Sequence, residues 1–331
     1  MSKKVTKKEE APAEEEAAEE EAEPYKASIV LTVAGLGDQS FNDAAYRGLQ
    51  QAESELGIDI HVYETSDPSE YEVNLLQAPS QDSDITFAIG FLMNDALTNA
   101  APQNPDALYG IVDSVVESDN VASLLFKEEE GSFLVGVIAG MMTKSNKIGF
   151  LGGMEVPLIK KFESGFVAGV MTVNPEAEVI INYAGDFRDP AKGKEIALSQ
   201  YASGADVIYH ASGGTGVGLF QAVQEMGDGY WAIGVDSDQH HLAPENTLTS
   251  MMKRVDVAIY ETIAAAYAGD FAAGTTIFGL AEGGVGLSPS TAENTPQEII
   301  DLADEYAQRI ISGEIIVPAT EEELAEFTPP E

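Results

Sequence analysis

The chain has 331 residues, enough for one large domain or two ordinary ones, and its lack of cysteine excludes disulfide bonds, thiolate metal sites and a cysteine nucleophile. Its formal net charge of −39 at pH 7 argues against nucleic-acid binding, because an acidic surface repels phosphate polyanions. No window reaches the roughly 18 uninterrupted apolar residues that a membrane-spanning helix needs.

Residues 1–26 form a low-complexity segment with nine glutamates and five lysines. This composition offers nothing to bury and cannot offset its own ordering entropy, so it predicts a disordered acidic spacer. The segment also lacks the apolar region of a signal peptide. Either the chain is cytoplasmic, or an export or lipid-anchor segment has been removed from it.

Short apolar runs recur along the rest of the chain and alternate with stretches of helical spacing; they lie at 28–34, 85–91, 108–113, 147–151, 178–183, 206–211 and 231–236. Near-continuous apolar strands alternating with helices predict an α/β protein whose parallel sheets are covered on both faces. The strands exceed what one compact sheet usually needs, so we expect two lobes. No flexible linker separates them, which indicates several chain crossings.

The first predicted helix follows the stretch GLGDQSFND, residues 35–43. Ser40 is expected at the N-cap with Asp43 three residues later, a capping-box spacing. One apolar face then continues to Gly57, which is expected to end the helix; the face comprises Ala45, Leu49, Ala52 and Leu56.

Two further helices are predicted from local signals. Asp189 is expected to cap a helix that begins at Pro190 and ends at Gly204. Residues 131–142 are apolar on every side and rich in small residues, so they predict a buried, tightly packed helix. The acidic residues in KEEEG, 127–131, are interpreted as a charged first helical turn that complements the helix dipole.

Ligands of such sheets bind outside the carboxyl ends of the strands, so the candidate ligand-binding residues are those directly after each apolar run. Asp113 and Asp236 each end a strand, where a carboxylate can accept hydrogen bonds from two hydroxyls; a turn or cap role is the alternative. Phe41 and Phe187 occupy matching positions in the two halves and could hold a flat ring between them. Core packing is the alternative for each phenylalanine taken singly.

The stretch GGTGVG, residues 213–218, follows a strand and opens a helix, but the dinucleotide fingerprint requires glycine where Leu219 stands. The stretch can still offer backbone N–H donors near Asp236, an arrangement that suits a nucleoside as well as a dinucleotide. The motifs of serine hydrolases and zinc proteases are absent, and the histidines lack metal-ligand spacing; they are His61, His210, His240 and His241. The sequence predicts no catalytic residue, no metal and no cofactor.

Several motifs together resemble one family. GLGDQSFNDAAYRGL, FKEEEGSFLVGVIAGMMTKSNKIGFLGG, YAGDFRDPAKGK, YASGADVIYHASGGTGVG and AIGVDSDQ occur in the order typical of the basic membrane protein family. Its members are substrate-binding proteins of ABC transporters, of the purine nucleoside receptor type. The resemblance covers roughly residues 28–290 and implies ligand binding without catalysis.

The resemblance also implies the roles of residues around a nucleobase. Phe41 and Phe187 are expected to stack on its two faces, with Asn42 bonding to its edge. Family members typically carry an aspartate that recognises the base where this chain has Thr32. A hydroxyl cannot match the acceptor strength of a carboxylate, so the base preference depends on Thr32.

A second group of residues is implied around the ribose. Asp236 and Lys253 resemble the pair that binds the ribose hydroxyls, and Asp113 resembles a further ligand contact. Gly213 and Gly214 are expected to bring the backbone close to the ligand.

The fold implied is the type I periplasmic-binding-protein fold, with two Rossmann-like lobes and parallel sheets joined by a three-crossing hinge. On that basis residues 27–122 and 239–272 are predicted to form the N-terminal lobe. Residues 123–238 and 273–320 are predicted to form the C-terminal lobe, and residues 321–331 an acidic tail.

Function and partners follow from the same resemblance. We expect an extracytoplasmic monomer that captures a nucleoside, with purines favoured, and delivers it to an ABC transporter permease. Its only membrane attachment is expected to be a lipid anchor absent from this chain. Two alternatives stay open: a sensory or regulatory ligand-binding module on the same fold, and a nucleoside-processing or NAD-dependent enzyme.

Overall fold

The structure, a computed structural model, describes residues 24–330. Strands and helices alternate along most of this range. The strands are β1 (Lys26–Val30), β2 (Asp59–Tyr63), β3 (Ile85–Ala88), β4 (Leu108–Val112), β5 (Val121–Phe126), β6 (Lys147–Gly152), β7 (Glu178–Tyr183), β8 (Val207–Ala211), β9 (Trp231–Asp236), β10 (Thr247–Lys253), β11 (Gly274–Phe278) and β12 (Val285–Leu287). The helices are α1 (Phe41–Leu56), α2 (Tyr71–Ser80), α3 (Asn94–Ala100), α4 (Glu128–Met142), α5 (Pro157–Val173), α6 (Pro190–Ala202), α7 (Val217–Met226), α8 (Val255–Tyr267), α9 (Gln297–Ile311) and α10 (Glu321–Glu326).

The strands form two six-stranded sheets. The first sheet has the order β11-β5-β4-β3-β1-β2, with all neighbours parallel. The second has the order β12-β10-β9-β8-β6-β7, parallel except for β12, which runs antiparallel to β10. Helices α1, α2, α3 and α8 belong with the first sheet and form lobe 1; the other helices belong with the second sheet and form lobe 2.

The chain crosses between the lobes three times within the described range. It leaves lobe 1 after β5, returns after β10, and leaves again between β11 and β12. The boundaries predicted at 122, 238 and 272 differ from these positions. Each crossing lies later in the sequence because β5, β10 and β11 complete their hydrogen-bonded ladders before the chain changes lobe.

Local signals position several helix ends as expected. Gly57 ends α1 in the left-handed conformation, φ 68°, and donates its N–H to Glu53 O. The Asp189 side chain caps α6 by accepting from Lys192 N, and Pro190 is the first helical residue.

Helix α4 is buried along almost its whole length, as predicted for residues 131–142. It packs so closely against α5 that a Cβ added to Gly136 or Gly169 would collide with the backbone of the opposite helix. This helix pair forms part of the core of lobe 2.

The two ends of the chain carry the predicted spacer and the predicted acidic tail. Most of the predicted spacer, residues 1–23, lies outside the described residues, and Lys26 already begins β1. The segment predicted as an acidic tail contains α10, which packs on α5 with an ion pair between Glu321 and Lys160. No helix among residues 24–330 is long and apolar enough to cross a membrane.

Candidate ligand-binding cleft

A cavity of about 290 Å³ lies between the two lobes, at the carboxyl ends of strands from both sheets. Its volume is near the lower end of the range for small-molecule sites, roughly 300 to 1,000 Å³, which suits a compact ligand. The loops after β1, β3 and β4 supply the wall in lobe 1, and those after β6, β7, β8 and β9 supply the wall in lobe 2.

The structure brings eight of the nine predicted ligand residues to the wall of this cavity; they are Thr32, Phe41, Asn42, Asp113, Phe187, Gly213, Asp236 and Lys253. The ninth, Gly214, is not part of the wall. A side chain there would contact Phe187 O and the Asp38 side chain, so Gly214 lies where the two lobes approach each other.

Aromatic and apolar side chains make up much of the wall. Phe41 comes from lobe 1 and Phe187 from lobe 2, and Phe187 meets the ring of Phe91 edge to face with centroids 6.4 Å apart. Gly153 is needed behind this group, because a Cβ there would collide with the Phe187 ring. Phe91 was not predicted, although its position directly after a strand and a glycine was a usable signal.

Asp113 and Asp236 occupy equivalent places in the two lobes. Asp113 directly follows β4 with φ 65°, and Asp236 ends β9 with φ 62°. Non-glycine residues are uncommon in the left-handed region, and such strain tends to collect at functional sites. The conformation directs two carboxylates from different lobes into one small cavity.

Lys253 lies on the cavity wall and forms ion pairs with Asp113 and with Glu128. Its Nζ lies 2.6 Å from Asp113 Oδ1 and 2.9 Å from Glu128 Oε1, and its side chain is 1% exposed. The rings of Phe41 and Phe126 lie near the ammonium, with centroids 5.3 and 5.0 Å from Nζ. A cation with this many partners can remain charged in an apolar environment.

Burial disfavours the charged forms of Asp113, Asp236 and Lys253, whereas opposite charges nearby favour them. Burial raises the pKa of Asp113 to about 6 although Lys253 favours its ionised form, and it likewise raises the pKa of Asp236 to about 6. Burial lowers the pKa of Lys253, but the carboxylates of Asp113, Glu128 and Asp236 outweigh it, so that pKa lies above its usual range.

The acidic run KEEEG does not behave simply as a charged helical turn facing solvent. Glu128 begins α4 but is fully buried, and its second oxygen contacts Lys161 Nζ at 3.2 Å. Glu130 pairs with Lys127 at 2.9 Å. The interpretation of this run as dipole complementation alone is therefore incomplete, because Glu128 is buried and paired with lysines.

A neutral pair lies at another part of the cavity wall. Asn42 Nδ2 donates to Thr32 Oγ1 at 3.1 Å, and the hydroxyl can alternatively donate to Asn42 Oδ1 at 3.3 Å. The pair can therefore present either a donor or an acceptor to a ligand edge.

The first turn of α1 is capped differently from the prediction. The side chain of Asp38 accepts from the backbone N–H groups of Ser40, Asn42 and Asp43 at 2.8–3.1 Å. Ser40 makes no side-chain cap; its hydroxyl donates to Asp236 in lobe 2. The predicted capping box at Ser40 is wrong because an aspartate two residues earlier already satisfies the free donors.

Further contacts join the lobes beside the cavity. Gln239 Nε2 donates to Gln39 O at 3.0 Å, Ser237 Oγ donates to Ser40 O at 3.1 Å, and Arg47 donates to Ser237 Oγ at 2.8 Å. The loop between β1 and α1 is thus docked on the loop after β9, and the two lobes are in direct contact.

Comparison with known proteins gives a consistent result. The sequence profile of the Bmp family, described as ABC transporter substrate-binding protein PnrA-like, matches residues 26–321. The chain is 39% identical over 318 residues to the CD4+ T-cell-stimulating antigen of Listeria monocytogenes, covering 90% of this chain and 89% of that protein. It is 38% identical over 315 residues to the ABC transporter nucleoside-binding protein BmpA of Lactococcus lactis, covering 89% of each.

A solved structure shows the same architecture. The ABC transporter solute-binding protein of Aeropyrum pernix K1 superposes with a TM-score of 0.82 at 32% identity, over 92% of this chain and 96% of that one. Together with the two α/β lobes and their mostly parallel sheets, this similarity confirms the predicted fold class.

Proposed function

Because the chain belongs to the Bmp family of PnrA-like ABC transporter substrate-binding proteins, we propose that it captures a nucleoside between its lobes for uptake. The observation that carries this proposal is the cavity itself. It combines aromatic walls from both lobes with a buried cluster of Asp113, Asp236 and Lys253. Aromatic walls suit a flat base, and the charged cluster suits a vicinal diol.

The chemistry of the two halves of a nucleoside supports this assignment. Stacking of a base on an aromatic side chain contributes roughly 1 to 3 kcal/mol and depends little on which base is bound. Ribose hydroxyls can donate to Asp113 and Asp236, while the Lys253 ammonium donates to a hydroxyl oxygen. Thr32 and Asn42 are left to distinguish one base edge from another.

The charge of the cavity favours a neutral ligand. Within the described part of the chain its wall carries four aspartates, opposed by Lys253 and Arg188. Arg188 is itself paired with Asp186 at 3.2 Å. A phosphate group would face a wall with more carboxylates than cations, so we expect nucleosides to bind far more tightly than nucleotides.

We propose that binding is not followed by catalysis. Ser212 Oγ on the cavity wall lies 3.2 Å from His210 Nδ1. Among the described residues this is the one contact at the wall between a hydroxyl group and an imidazole ring. Burial lowers the pKa of His210 to about 4, too low for an efficient general base near neutral pH. The other ring nitrogen of His210 faces Gln239, which carries no charge.

The family also supports a cellular role. We propose that the protein acts outside the cytoplasmic membrane as a monomer, attached through a lipid anchor, and that a permease recognises the ligand-bound arrangement of its lobes. In this proposal the residues before β1 serve as the spacer between anchor and receptor. Fractionation of cells that express the native gene, with labelling by a fatty-acid analogue, tests the anchor.

A thermal-shift screen followed by calorimetry tests ligand class. The screen contains purine and pyrimidine nucleosides, free bases, sugars and nucleotides. We expect at least one nucleoside to stabilise the protein, with the effect lost in Phe41→Ala and Asp236→Ala and kept in Asp228→Ala, where an exposed aspartate is removed. Stabilisation by sugars alone would refute the proposal, and release of free base or reduction of a nicotinamide cofactor would refute its non-catalytic part.

A further inference from the structure

We propose that Glu128 is a positioning residue, which holds the Lys253 ammonium at the junction of the three lobe crossings so that one buried cation serves both the hinge and the ligand. The inference rests on the proposed nucleoside function. Glu128 is not part of the cavity wall, and sequence reasoning gave it no role in binding.

The three crossing segments meet beside Lys253. Lys127 N, in the first crossing, donates to Phe278 O at 3.0 Å, in the third. Arg254 N, in the second, donates to Gly284 O at 2.8 Å, also in the third. Lys253 directly precedes Arg254 and Glu128 directly follows Lys127, so the ion pair between them lies within the hinge.

The side chain of Glu128 is 1% exposed and its carboxylate contacts two cations. One oxygen lies 2.9 Å from Lys253 Nζ and the other 3.2 Å from Lys161 Nζ. Lys161 also donates to Phe126 O at 3.2 Å, which ties the pair to the end of β5. Removing one partner of such a buried pair leaves an uncompensated charge, so the arrangement is strongly constrained.

The partners of Lys253 belong to different lobes. Glu128 starts α4 and Lys253 ends β10, and both elements pack together in lobe 2. Asp113 follows β4 in lobe 1. When the lobes separate, Asp113 therefore moves relative to Lys253, whereas Glu128 keeps its contact.

This difference gives Glu128 a distinct task. It is the permanent counter-ion that keeps Lys253 charged and fixed in both arrangements of the lobes. Asp113 and the ligand hydroxyls then engage an ammonium that is already in place. Without Glu128, the carboxylates of Asp113 and Asp236, whose charges also raise the pKa of Lys253, compensate the ammonium instead of accepting from the ligand.

The test compares affinities for a nucleoside and for its free base, measured by calorimetry on the full chain. We expect Glu128→Gln to weaken nucleoside binding about tenfold or more, because a charge-assisted hydrogen bond to a hydroxyl is lost, while free-base affinity changes little. Glu195→Gln is the control. It removes a charge and a lysine pair from the exposed surface of α6 without contacting Lys253 or a crossing segment, and we expect both affinities to stay near wild type.

Glu128→Asp keeps the charge and provides a second test if the glutamine variant does not fold. We expect it to fold and to lose part of the ribose-dependent affinity, since the shorter side chain cannot hold both lysines. Equal losses for nucleoside and base in either variant, or no loss in either, would refute the positioning role while the proposed function stands. If wild-type protein binds no nucleoside, both proposals fail.

Discussion

At the scale of single residues, the two aspartates at the strand ends determine how the cavity responds to pH. Each carboxylate must be ionised to accept from two ligand hydroxyls, yet burial raises both pKa values to about 6. Lys253 stays protonated throughout the accessible range, because its partners hold its pKa above the usual value. Protons and ligand hydroxyls therefore compete for the same carboxylate oxygens.

We expect the stabilisation produced by a nucleoside to increase from pH 5 to pH 7.5, because Asp113 and Asp236 ionise in that interval. Without ligand, the contribution of these two carboxyls to folding stability changes with pH in the opposite direction. The folded state holds these protons more tightly than the unfolded chain, so this contribution to stability is complete below about pH 4 and is lost as the pH rises through about 6. Thermal unfolding at several pH values, with and without ligand, measures both trends.

Asp236→Asn serves as the control for this pH dependence. The variant keeps the shape of the side chain but removes one titrating group, so binding should be weaker and its pH profile flatter. A wild-type ligand effect that does not change between pH 5 and 7.5 would contradict the assignment of these carboxylates to the ligand.

Thr32 is the residue at which ligand preference can be changed. Thr32→Asp places a carboxylate beside Asn42 at the cavity wall, where the wild-type pair is neutral. We expect the ratio of guanosine to adenosine affinity to rise about tenfold, because guanine presents adjacent N–H donors to a carboxylate. Calorimetry with both nucleosides measures the ratio, and Thr32→Val, which removes hydrogen bonding without adding charge, should lower discrimination between them.

Residue identities near the site were partly predictable. Strand ends rich in aspartate and glycine pointed to Asp113, Asp236 and Gly213, and the family resemblance supplied Lys253. Asp38 was missed because its role is to hold the loop before α1, and a capping box at Ser40 looked sufficient from spacing alone. Glu128 was missed because burial of an acidic residue cannot be read from an acidic run.

At the scale of secondary-structure elements, the α4 and α5 pair shows how glycine spacing allows close helix packing. A Cβ at Gly169 would collide with Phe133 O across the interface. We expect Gly169→Ala to destabilise the protein by about 1 to 3 kcal/mol, the typical cost of overpacking. Urea unfolding measures the loss.

Gly286→Ala is a suitable control for that helix variant. Gly286 lies in β12 with open space where a Cβ would be placed and without a positive φ. An alanine there should be close to neutral. If Gly169→Ala were also neutral, α4 and α5 would be able to separate without loss, and the packing argument would fail.

Strands were predictable where a continuous apolar run marks them. Each of the seven predicted runs overlaps a strand, whereas the exposed edge strands β2 and β11, the buried strand β5 and the short strand β12 lie outside those runs. Strand β10 was missed because its sequence, TLTSMMK, contains hydroxyls that interrupt the apolar pattern. In the fold Thr249 meets Thr291 at 2.6 Å and Ser250 N donates to Ser288 Oγ at 3.0 Å, so a polar sequence occupies an interior strand.

At the scale of the whole molecule, two separate sets of contacts determine how the lobes are arranged. One is the hinge, where the crossing segments and the Glu128–Lys253 pair meet. The other is the docking of the loop after β1 on the loop after β9, through Gln39 and Gln239 among others. The crossing positions themselves could not be read from the sequence, because they depend on hydrogen bonding between strands far apart in the chain.

The second set can be weakened without altering the cavity wall. Arg47 lies on the exposed side of α1 and donates to Ser237 Oγ in lobe 2 at 2.8 Å. Arg47→Ala removes one hydrogen bond that exists only when the lobes are in contact, worth about 0.5 to 1.5 kcal/mol. We therefore expect ligand affinity to fall roughly two- to tenfold, because the binding-competent arrangement becomes less populated.

Small-angle scattering provides the structural measurement for this variant. Ligand-free Arg47→Ala should have a larger radius of gyration than wild type, and saturating ligand should restore the compact value, since ligand binds the closed arrangement preferentially. Lys194→Ala, which breaks an ion pair with Glu225 inside lobe 2, should change neither affinity nor radius. A reduced affinity with an unchanged radius would mean that Arg47 acts on the site through the local structure of α1, and lobe closure would then not be the step that this contact controls.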